Sequence, residues 1–281
     1  MKRSKLGFWL FLAPCLITFL TVVLIPMICG FYYSFTDWDG MSSSVNFVGL
    51  DNFIRLFTKE EQFWVSFGFT ALFTLVSLVL INMVGFALAL LVTKKFKGAN
   101  ILRSVFFMPN LIGGIVLGYI WQLIINGVLY KYEVTLTYSP TYGFWGLVIL
   151  MNWQMIGYMM VIYIAGIQNI PKDVMEAAKI DGAKPFQILK RVTIPLVMPS
   201  FTICLFLTMS NSFKLFDQNL ALTAGAPSKK TAMMALDIYN TFYGSVGSEG
   251  IGQAKAVLFF IIVALVAFIQ LRITRDKEVE N

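Results

Sequence analysis

Long apolar runs alternate with short polar segments along the chain. Six of these runs are long enough to cross a hydrocarbon core, which takes about 20 helical residues at about 1.5 Å each. The predicted spans lie near residues 8–32, 63–92, 101–125, 145–166, 196–222 and 254–271. The pattern therefore predicts an all-α, polytopic membrane protein with six transmembrane helices, organised as a single transmembrane domain over residues 1–281.

The composition and the placement of charge support a membrane protein. Of 281 residues, 58% are hydrophobic and 13% are charged, and the mean hydropathy is +0.74, which is too apolar for a soluble domain with a polar surface. The net charge of +7 could indicate nucleic-acid binding, but the basic residues fall between the apolar runs. With the N-terminus inside, the inner segments hold fifteen Lys and Arg residues and the outer segments five. This bias predicts a multi-pass protein of the cell membrane with both termini cytoplasmic and with no nucleic-acid partner.

The reactive residue types exclude several kinds of chemistry. The sequence contains no His, which removes His-based acid–base catalysis and the H-E-x-x-H zinc site. Cys15, Cys29 and Cys204 all lie inside apolar runs, which favours buried free thiols over a disulfide or a metal site. We therefore expect neither an enzyme nor a metal centre.

The least apolar internal stretch is residues 168–195, QNIPKDVMEAAKIDGAKPFQILKRVTIP. Pro171 suits the first turn of a helix, and acidic residues follow it near the positive N-terminal end. Asp181-Gly182 interrupts this helix, because Gly accepts backbone angles that other residues resist, and Pro185 suits the opening of a second helix. The stretch is predicted to form two short helices that meet at a bend on the cytoplasmic side.

One spacing in this stretch is specific. The sequence Glu176-Ala177-Ala178, three residues, Gly182, nine residues and then Val192-Thr193-Ile194-Pro195 resembles the EAA loop of binding-protein-dependent ABC importer permeases, E-A-A-x3-G-x9-I-x-L-P. Val192 and Ile194 replace the usual Ile and Leu conservatively.

Other segments are similar to the carbohydrate branch of that family, which includes the larger maltose-permease subunit and related sugar permeases. They are residues 8–38, which begin FWLFLAPCLITFL and end PMICGFYYSFTDW, FFMP at 106–109, GYMMVIYIAGIQNIP at 157–171, LTAGAP at 222–227, IYNT at 238–241 and QLRITRDKEVE at 270–280. The resemblance extends in this order over nearly the whole chain. The resemblance implies the type I ABC importer permease fold and import of a sugar or oligosaccharide by alternating access.

The resemblance also implies partners and coupling residues. The chain has no G-x-x-x-x-G-K-[ST] phosphate-binding motif, so it is expected to hold no cofactor, with ATP and Mg on separate ATPase subunits. The implied partners are a second homologous permease, two ATPase subunits, an extracytoplasmic sugar-binding protein and the lipid bilayer. In the family the first short helix of the EAA loop docks on the ATPase. The residues thereby implied in ATPase coupling are Glu176, Ala177, Ala178, Asp181, Gly182 and Pro195.

Polar groups inside apolar helices indicate a route for solute, because such groups cannot face lipid cheaply. Thr208, Asn211, Ser212 and Leu215 recur at three-four spacing and are predicted to face one way. Matched to the family's sugar-contacting positions, the implied substrate-binding residues are Asn110, Gly114, Gln154, Met155, Tyr158, Thr208, Asn211, Ser212 and Leu215. Hydroxyl and amide groups suit a neutral polyol, and the Tyr158 ring could stack on it. The alternative is that these polar residues only hold helices together.

Three further features allow more than one interpretation. Lys214 and Asp217 favour a structural ion pair facing the bundle interior, with contact to a charged substrate or to the partner permease as the alternative. Pro109 and the nearby glycines predict a kinked or closely packed third helix. The last outer loop, residues 223–250, could reach an external partner or be a flexible connector.

Other functions remain as alternatives. An ABC importer for a non-sugar polar solute fits the same motifs. An ion-coupled secondary transporter would need a buried acid, for which Asp217 is the candidate. A membrane enzyme is disfavoured, because no cluster of titratable residues is evident in the sequence.

Overall fold

A computed structural model describes residues 5–42, 45–94, 97–244 and 247–276, and these residues form α-helices joined by short turns. The helices are α1 Lys5–Phe19, α2 Ile25–Tyr33, α3 Asp51–Thr58, α4 Glu61–Val92, α5 Ala99–Phe107, α6 Gly114–Leu129, α7 Pro140–Gln168, α8 Lys172–Ile180, α9 Pro185–Ile188, α10 Ile194–Leu196, α11 Met198–Phe213, α12 Asp217–Leu222, α13 Met234–Gly244 and α14 Glu249–Arg275. Wider π-helical turns occupy Leu20–Leu24 and Leu189–Thr193, and 3₁₀ turns occupy Met108–Leu111 and Tyr130–Tyr132. The described residues contain no strand beyond an isolated Thr36–Phe47 bridge. The all-α prediction is confirmed.

Within the described residues, five helices are long and apolar enough to cross a membrane, and a sixth span results if one bent pair counts as one. They are Gly7–Tyr33, Glu61–Val92, Gly114–Tyr132, Pro140–Gln168 and Glu249–Arg275, with the pair Pro185–Leu196 and Met198–Phe213 bent by 68°. Lys2, Arg3, Lys95 and Lys277, which contribute to the predicted orientation, lie outside the described residues.

The third predicted span, 101–125, is not one continuous helix. α5 ends at Phe107, a 3₁₀ turn follows, and α6 begins only at Gly114. Pro109 lies in this turn and has no N–H to continue the helical ladder. Gly113 is extended, with φ −61° and ψ 141°. The continuous apolar run gave no sign that the helix stops at Phe107 and resumes at Gly114. The kink predicted from Pro109 is confirmed.

The fifth predicted span, 196–222, is also broken. α11 ends at Phe213 and α12 starts at Asp217. Between them the chain leaves helical geometry at Lys214. In a continuous span this residue would have placed a positive charge inside the membrane. The prediction of one helix through this charge was wrong.

The chain divides into two compact units. The first comprises Met1–Phe63 and Ile238–Ile261. In it, Lys255 is 2% exposed and forms a 3.2 Å ion pair with Glu60. Lys255 Nζ also donates a 2.9 Å hydrogen bond to Oγ1 of Thr241. A lysine buried this deeply requires such partners, because leaving the charge unpaired is strongly unfavourable.

The N-terminal span of this unit buries little against the rest of the chain. None of the most apolar window of Gly7–Tyr33 is buried. Cys15 and Cys29 are therefore exposed within the chain, while Cys204 is buried, and all three thiols are free. The prediction of buried thiols holds only for Cys204.

The second unit comprises Trp64–Asp237 and Ile262–Asn281 and contains the main apolar core. A hydrogen-bonded chain crosses three of its helices. The Tyr163 hydroxyl in α7 donates to Oδ1 of Asn82 in α4 at 2.8 Å, and Asn82 Nδ2 donates to Oγ1 of Thr208 in α11 at 3.3 Å. All three side chains are buried, so these bonds fix the register of α4, α7 and α11.

A glycine allows α5 to lie directly on α7. A Cβ added at Gly157 would stand 1.7 Å from the carbonyl oxygen of Phe106. Only a residue without a side chain permits this backbone contact. The contact places the 3₁₀ turn after α5 beside the centre of α7.

Candidate functional site

The second unit contains a cavity of about 190 Å³ where both helix breaks approach α7. Its lining residues are Asn110, Met151, Gln154, Met155, Asn211, Lys214, Leu215 and Gln218. Asn110 comes from the 3₁₀ turn before α6, and Lys214 and Leu215 come from the break after α11. Non-helical backbone at membrane depth is tolerated where it lines a cavity, so the two breaks and the cavity belong to one arrangement.

Gln154 links the segments around this cavity. Its Nε2 donates to the carbonyl of Ile112 at 3.3 Å, and its Oε1 accepts a 2.9 Å hydrogen bond from Nε2 of Gln218. Gln154 is 8% exposed, so both bonds lie away from bulk solvent. A neutral amide that both donates and accepts is suited to a ligand with many hydroxyl groups.

Apolar side chains provide the other wall of the cavity. Met155 and Leu215 are both buried, and they line it together with Met151. The Ser212 hydroxyl donates to the Met151 sulfur at 3.6 Å. The cavity thus presents an apolar surface next to a few fixed polar groups, which is typical of small-molecule sites.

Five of the nine candidate substrate residues line this cavity. They are Asn110, Gln154, Met155, Asn211 and Leu215. The prediction missed Met151 and Gln218. Met151 lies three residues before Gln154 on the same helix, so helical spacing could have found it. Gln218 lies beyond the unexpected break, where spacing along a presumed continuous helix is misleading.

Thr208 and Ser212 lie in helix contacts rather than at the cavity. Both are fully buried, with Thr208 bonded to Asn82 and Ser212 bonded to Met151. Thr208, Asn211 and Ser212 do lie on one helix, α11, at the predicted spacing, but Thr208 and Ser212 pack against α4 and α7 and only Asn211 of the three lines the cavity. The helix-contact alternative therefore describes these two residues.

Tyr158 and Gly114 also lie outside the cavity lining. The Tyr158 ring packs edge-on against Phe107, with centroids 6.4 Å apart. A Cβ at Gly114 would stand 2.7 Å from Cβ of Asp217 and 3.1 Å from the Gln218 amide, so Gly114 allows α12 to lie against α6. This confirms the close packing predicted for the third span and makes Gly114 a support for Gln218.

Lys214 and Asp217 form no ion pair with each other, although both lie in the described range 97–244. Both side chains are exposed within the chain, and Lys214 lines the cavity. The structural ion pair was wrong because it assumed a continuous helix, and α11 ends one residue before Lys214.

The stretch between α7 and α11 forms the predicted first short helix, α8, and after a turn a second helical segment over Pro185–Leu196, made of α9, a π-helical turn and α10. α8 follows Pro171, and Gly182 turns the chain with φ +77°, in the left-handed region that favours glycine. Glu176 and Ala177 are exposed on α8. After Pro195, the chain bends by 68° into α11.

Two large apolar side chains project from this loop. Ile180 is 85% exposed at the end of α8, and Phe186 is 73% exposed on α9. Glu176 and Ala177 lie on α8, four and three residues before Ile180. Exposed apolar groups beside a charged residue form a surface suited to a protein partner.

The loop before α13 is ordered by a buried amide. Asn219 Nδ2 donates to the carbonyl of Thr231 at 2.8 Å, and its Oδ1 accepts from the Met233 N–H at 2.9 Å. Asn219 is fully buried. These bonds hold the part of the 223–250 loop around Thr231 and Met233 in a defined structure, so this part is not a flexible connector.

Broken spans around a cavity lined by amides, apolar side chains and Lys214, joined to a polar loop with an exposed contact surface, are features of a membrane transport component. Residues 81–278 match the family described as "Binding-protein-dependent transport system inner membrane component", and the chain belongs to this family. It is therefore a multi-pass inner-membrane subunit of a binding-protein-dependent ABC importer, and its role is transport, not enzymatic catalysis. The predicted family is confirmed.

Curated relatives and solved structures agree with this assignment. The chain is 50% identical over 99% of its length to the probable starch degradation products transport system permease protein AmyD of Thermoanaerobacterium thermosulfurigenes, covering 97% of it. It is 30% identical over 98% of its length to the trehalose/maltose transport system permease protein MalF of Thermococcus litoralis, covering 96% of it. A chain of a bacterial ABC transporter involved in alginate import matches with a TM-score of 0.82 at 21% identity, over 98% of this chain and 96% of that one. The structural match confirms the permease fold.

Proposed function

We propose that the chain is one permease subunit of an ATP-driven importer that moves a sugar or an oligosaccharide across the cytoplasmic membrane by alternating access. The observation that carries the proposal is the cavity, where the amides of Gln154, Asn211 and Gln218 stand beside the apolar side chains of Met155 and Leu215. Sugars present hydroxyl groups around an apolar ring face, and this combination matches them. The names of the relatives, which refer to starch degradation products and to trehalose and maltose, support the same substrate class.

The predicted substrate residues divide into two roles in this proposal. Asn110, Gln154, Met155, Asn211 and Leu215 contact the sugar. Gly114, Tyr158, Thr208 and Ser212 position the helices that carry those residues. The volume of about 190 Å³ is smaller than the roughly 300–1,000 Å³ of usual ligand pockets, and we propose that a second, homologous permease supplies the rest of the site.

Two ATPase subunits, which carry ATP and Mg, and an extracytoplasmic sugar-binding protein complete the proposed complex. Glu176, Ala177 and Ala178 dock α8 on an ATPase, and Asp181 and Gly182 form the bend. Pro195 ends the coupling loop, and the following bend passes movement into α11. Both termini and this loop face the cytoplasm, and the two compact units act as one permease domain.

The alternatives make different predictions. An ion-coupled transporter needs a buried acid in the transport path, and Asp217 is exposed at the start of α12. An importer of a non-sugar polar solute would share the complex and differ only in what the binding protein delivers.

The test is uptake by the purified complex in proteoliposomes, with the binding protein outside and ATP inside. We expect labelled malto-oligosaccharides to accumulate only with hydrolysable ATP, and we expect Asn211→Leu to reduce uptake about tenfold. Asn152→Leu is the matched control, because within the described residues the Asn152 side chain bonds only the Val148 carbonyl of its own helix and does not line the cavity. Accumulation driven by a proton gradient without ATP would contradict the importer. ATP-driven accumulation of another polar solute, but of no sugar, would contradict the substrate class.

A further inference from the structure

A second cavity in the same unit lies where α4 ends and α5 begins. It measures about 530 Å³ and is lined by the basic side chains of Lys94, Lys97 and Arg103. Among the described residues that line it there is no Asp or Glu. This cavity is distinct from the candidate substrate cavity and shares no lining residue with it.

The groups around this second cavity are arranged for an anion. Arg103 Nη2 donates to the carbonyl of Val92 at 3.1 Å, which fixes the guanidinium against the end of α4. The buried Nε of Arg103 has no hydrogen-bond partner in the described part of the chain. Asn100 and Ala99 also line the cavity, so the positive N-terminal end of α5 faces the same space as the three cations.

The position of the cavity indicates where the anion comes from. α4 is a candidate span that ends at Val92, and Lys94 and Lys97 lie two and five residues further along the chain. Exposed apolar side chains lie next to the lining residues on both helices: Leu91, 56% exposed, precedes Val92 on α4, and Ile101, 69% exposed, follows Asn100 on α5. A charged recess with adjoining apolar walls fits an amphiphile better than it fits a small soluble anion.

We propose that this recess binds the phosphate headgroup of an anionic phospholipid, whose acyl chains lie along Leu91 and Ile101. Clustered basic residues at the membrane boundary recognise such headgroups, and each adds favourable interaction. The bound lipid would join the end of α4 to the start of α5, and α5 leads into the 3₁₀ turn that supplies Asn110 to the substrate cavity.

The test measures binding of a fluorescent phosphatidylglycerol to the purified importer complex by anisotropy. Lys94→Gln with Lys97→Gln should weaken binding roughly 30-fold, from about 1 kcal/mol for each of two basic groups. Both side chains are exposed, so the complex should still assemble, and Lys94→Arg with Lys97→Arg should restore wild-type binding. Arg272→Gln with Arg275→Gln removes the same charge from exposed positions at the end of α14 and should change binding less than twofold.

Three results would overturn the proposal. The first is equal weakening by the α14 control pair, which would indicate general surface attraction. The second is competition by glycerol 3-phosphate as effective as that by phosphatidylglycerol, which would indicate a soluble anion. The third is a wild-type complex that binds no more phosphatidylglycerol than phosphatidylcholine, as expected if another subunit covers the recess.

Discussion

The side-chain amides of Gln218 and Gln154 are joined by a 2.9 Å hydrogen bond across the edge of the candidate substrate cavity. Gln218 belongs to the short helix α12, and Gln154 belongs to the long helix α7. The bond therefore connects α7 and α12, two of the helices that line the cavity where we propose that a sugar binds.

Gln154→Leu should remove a polar group from the cavity and also weaken the contacts between the segments that line it. It removes the bonds to Gln218 and Ile112 and leaves partly buried polar groups without partners, at a cost of about 1–3 kcal/mol each. We expect transport in proteoliposomes to fall at least tenfold. Gln154→Glu keeps the size and an acceptor, and it should retain more uptake than the Leu variant. Equal uptake by wild type and Gln154→Leu would show that this amide has no role in transport.

Thr208→Val and Asn211→Leu should separate structural from substrate-binding roles on α11. Thr208 accepts a buried hydrogen bond from Asn82, so Thr208→Val should lower stability by about 1–2 kcal/mol and leave the KM for sugar unchanged. Asn211 lines the cavity, so Asn211→Leu should raise KM with little change in thermal midpoint. Thermal unfolding and uptake kinetics on the same preparations measure both quantities. The assignment fails if the two variants exchange these effects.

Gly182→Pro should uncouple ATP hydrolysis from transport. Gly182 has φ +77°, whereas proline is fixed near −65°, so the turn after α8 cannot form in its present geometry. The complex should still assemble, with ATPase activity that no longer depends on the loaded binding protein. Gly182→Asn is the control, because Asn tolerates the left-handed region better than other residues, and its coupling should stay near wild type. Unchanged uptake by Gly182→Pro would remove the proposed role of this bend.

Gly157→Ala should disrupt the contact between α5 and α7. The new Cβ would stand 1.7 Å from the Phe106 carbonyl oxygen, so the two backbones must separate. We expect a loss of stability above about 3 kcal/mol, at the upper end of what point substitutions usually cause. Gly68→Ala meets nothing within 4 Å inside the chain and should be neutral or slightly stabilising. Thermal unfolding of the two variants in detergent provides the comparison.

The sequence was sufficient for what depends on local chemistry. The turn at Gly182 was predictable, because Asp-Gly between two helix-forming segments has few other uses. The helical character of the apolar runs followed from length and hydropathy alone. The choice of Asn110, Gln154 and Asn211 as candidate substrate-binding residues followed from the resemblance to the family, together with the rule that polar groups avoid lipid. All three line the same cavity.

The sequence was insufficient where tertiary contacts determine geometry. The break at Lys214 lies inside an apolar run, and α12 then packs on α6 through Gly114 and Gly118, a contact between distant parts of the chain. Once that break is missed, the orientation of Leu215 and the position of Gln218 cannot be derived from helical spacing. Thr208 was assigned to the substrate-binding residues from helical spacing and from the resemblance to the family, and neither indicates that Asn82 of α4 packs against it.

The 68° bend before Met198 separates the proposed coupling loop from α11, so movement of that loop would reach the cavity as a rotation of α11 about this bend. α11 is an unbroken helix of 16 residues, about 24 Å long, and Asn211 lies near the end opposite the bend. Tilting such a rod by about 5° around the bend displaces its far end by roughly 2 Å. A shift of that size is comparable to the difference between a formed hydrogen bond and a broken one. A small rotation at the bend would therefore be enough to switch Asn211 between holding a sugar hydroxyl and releasing it.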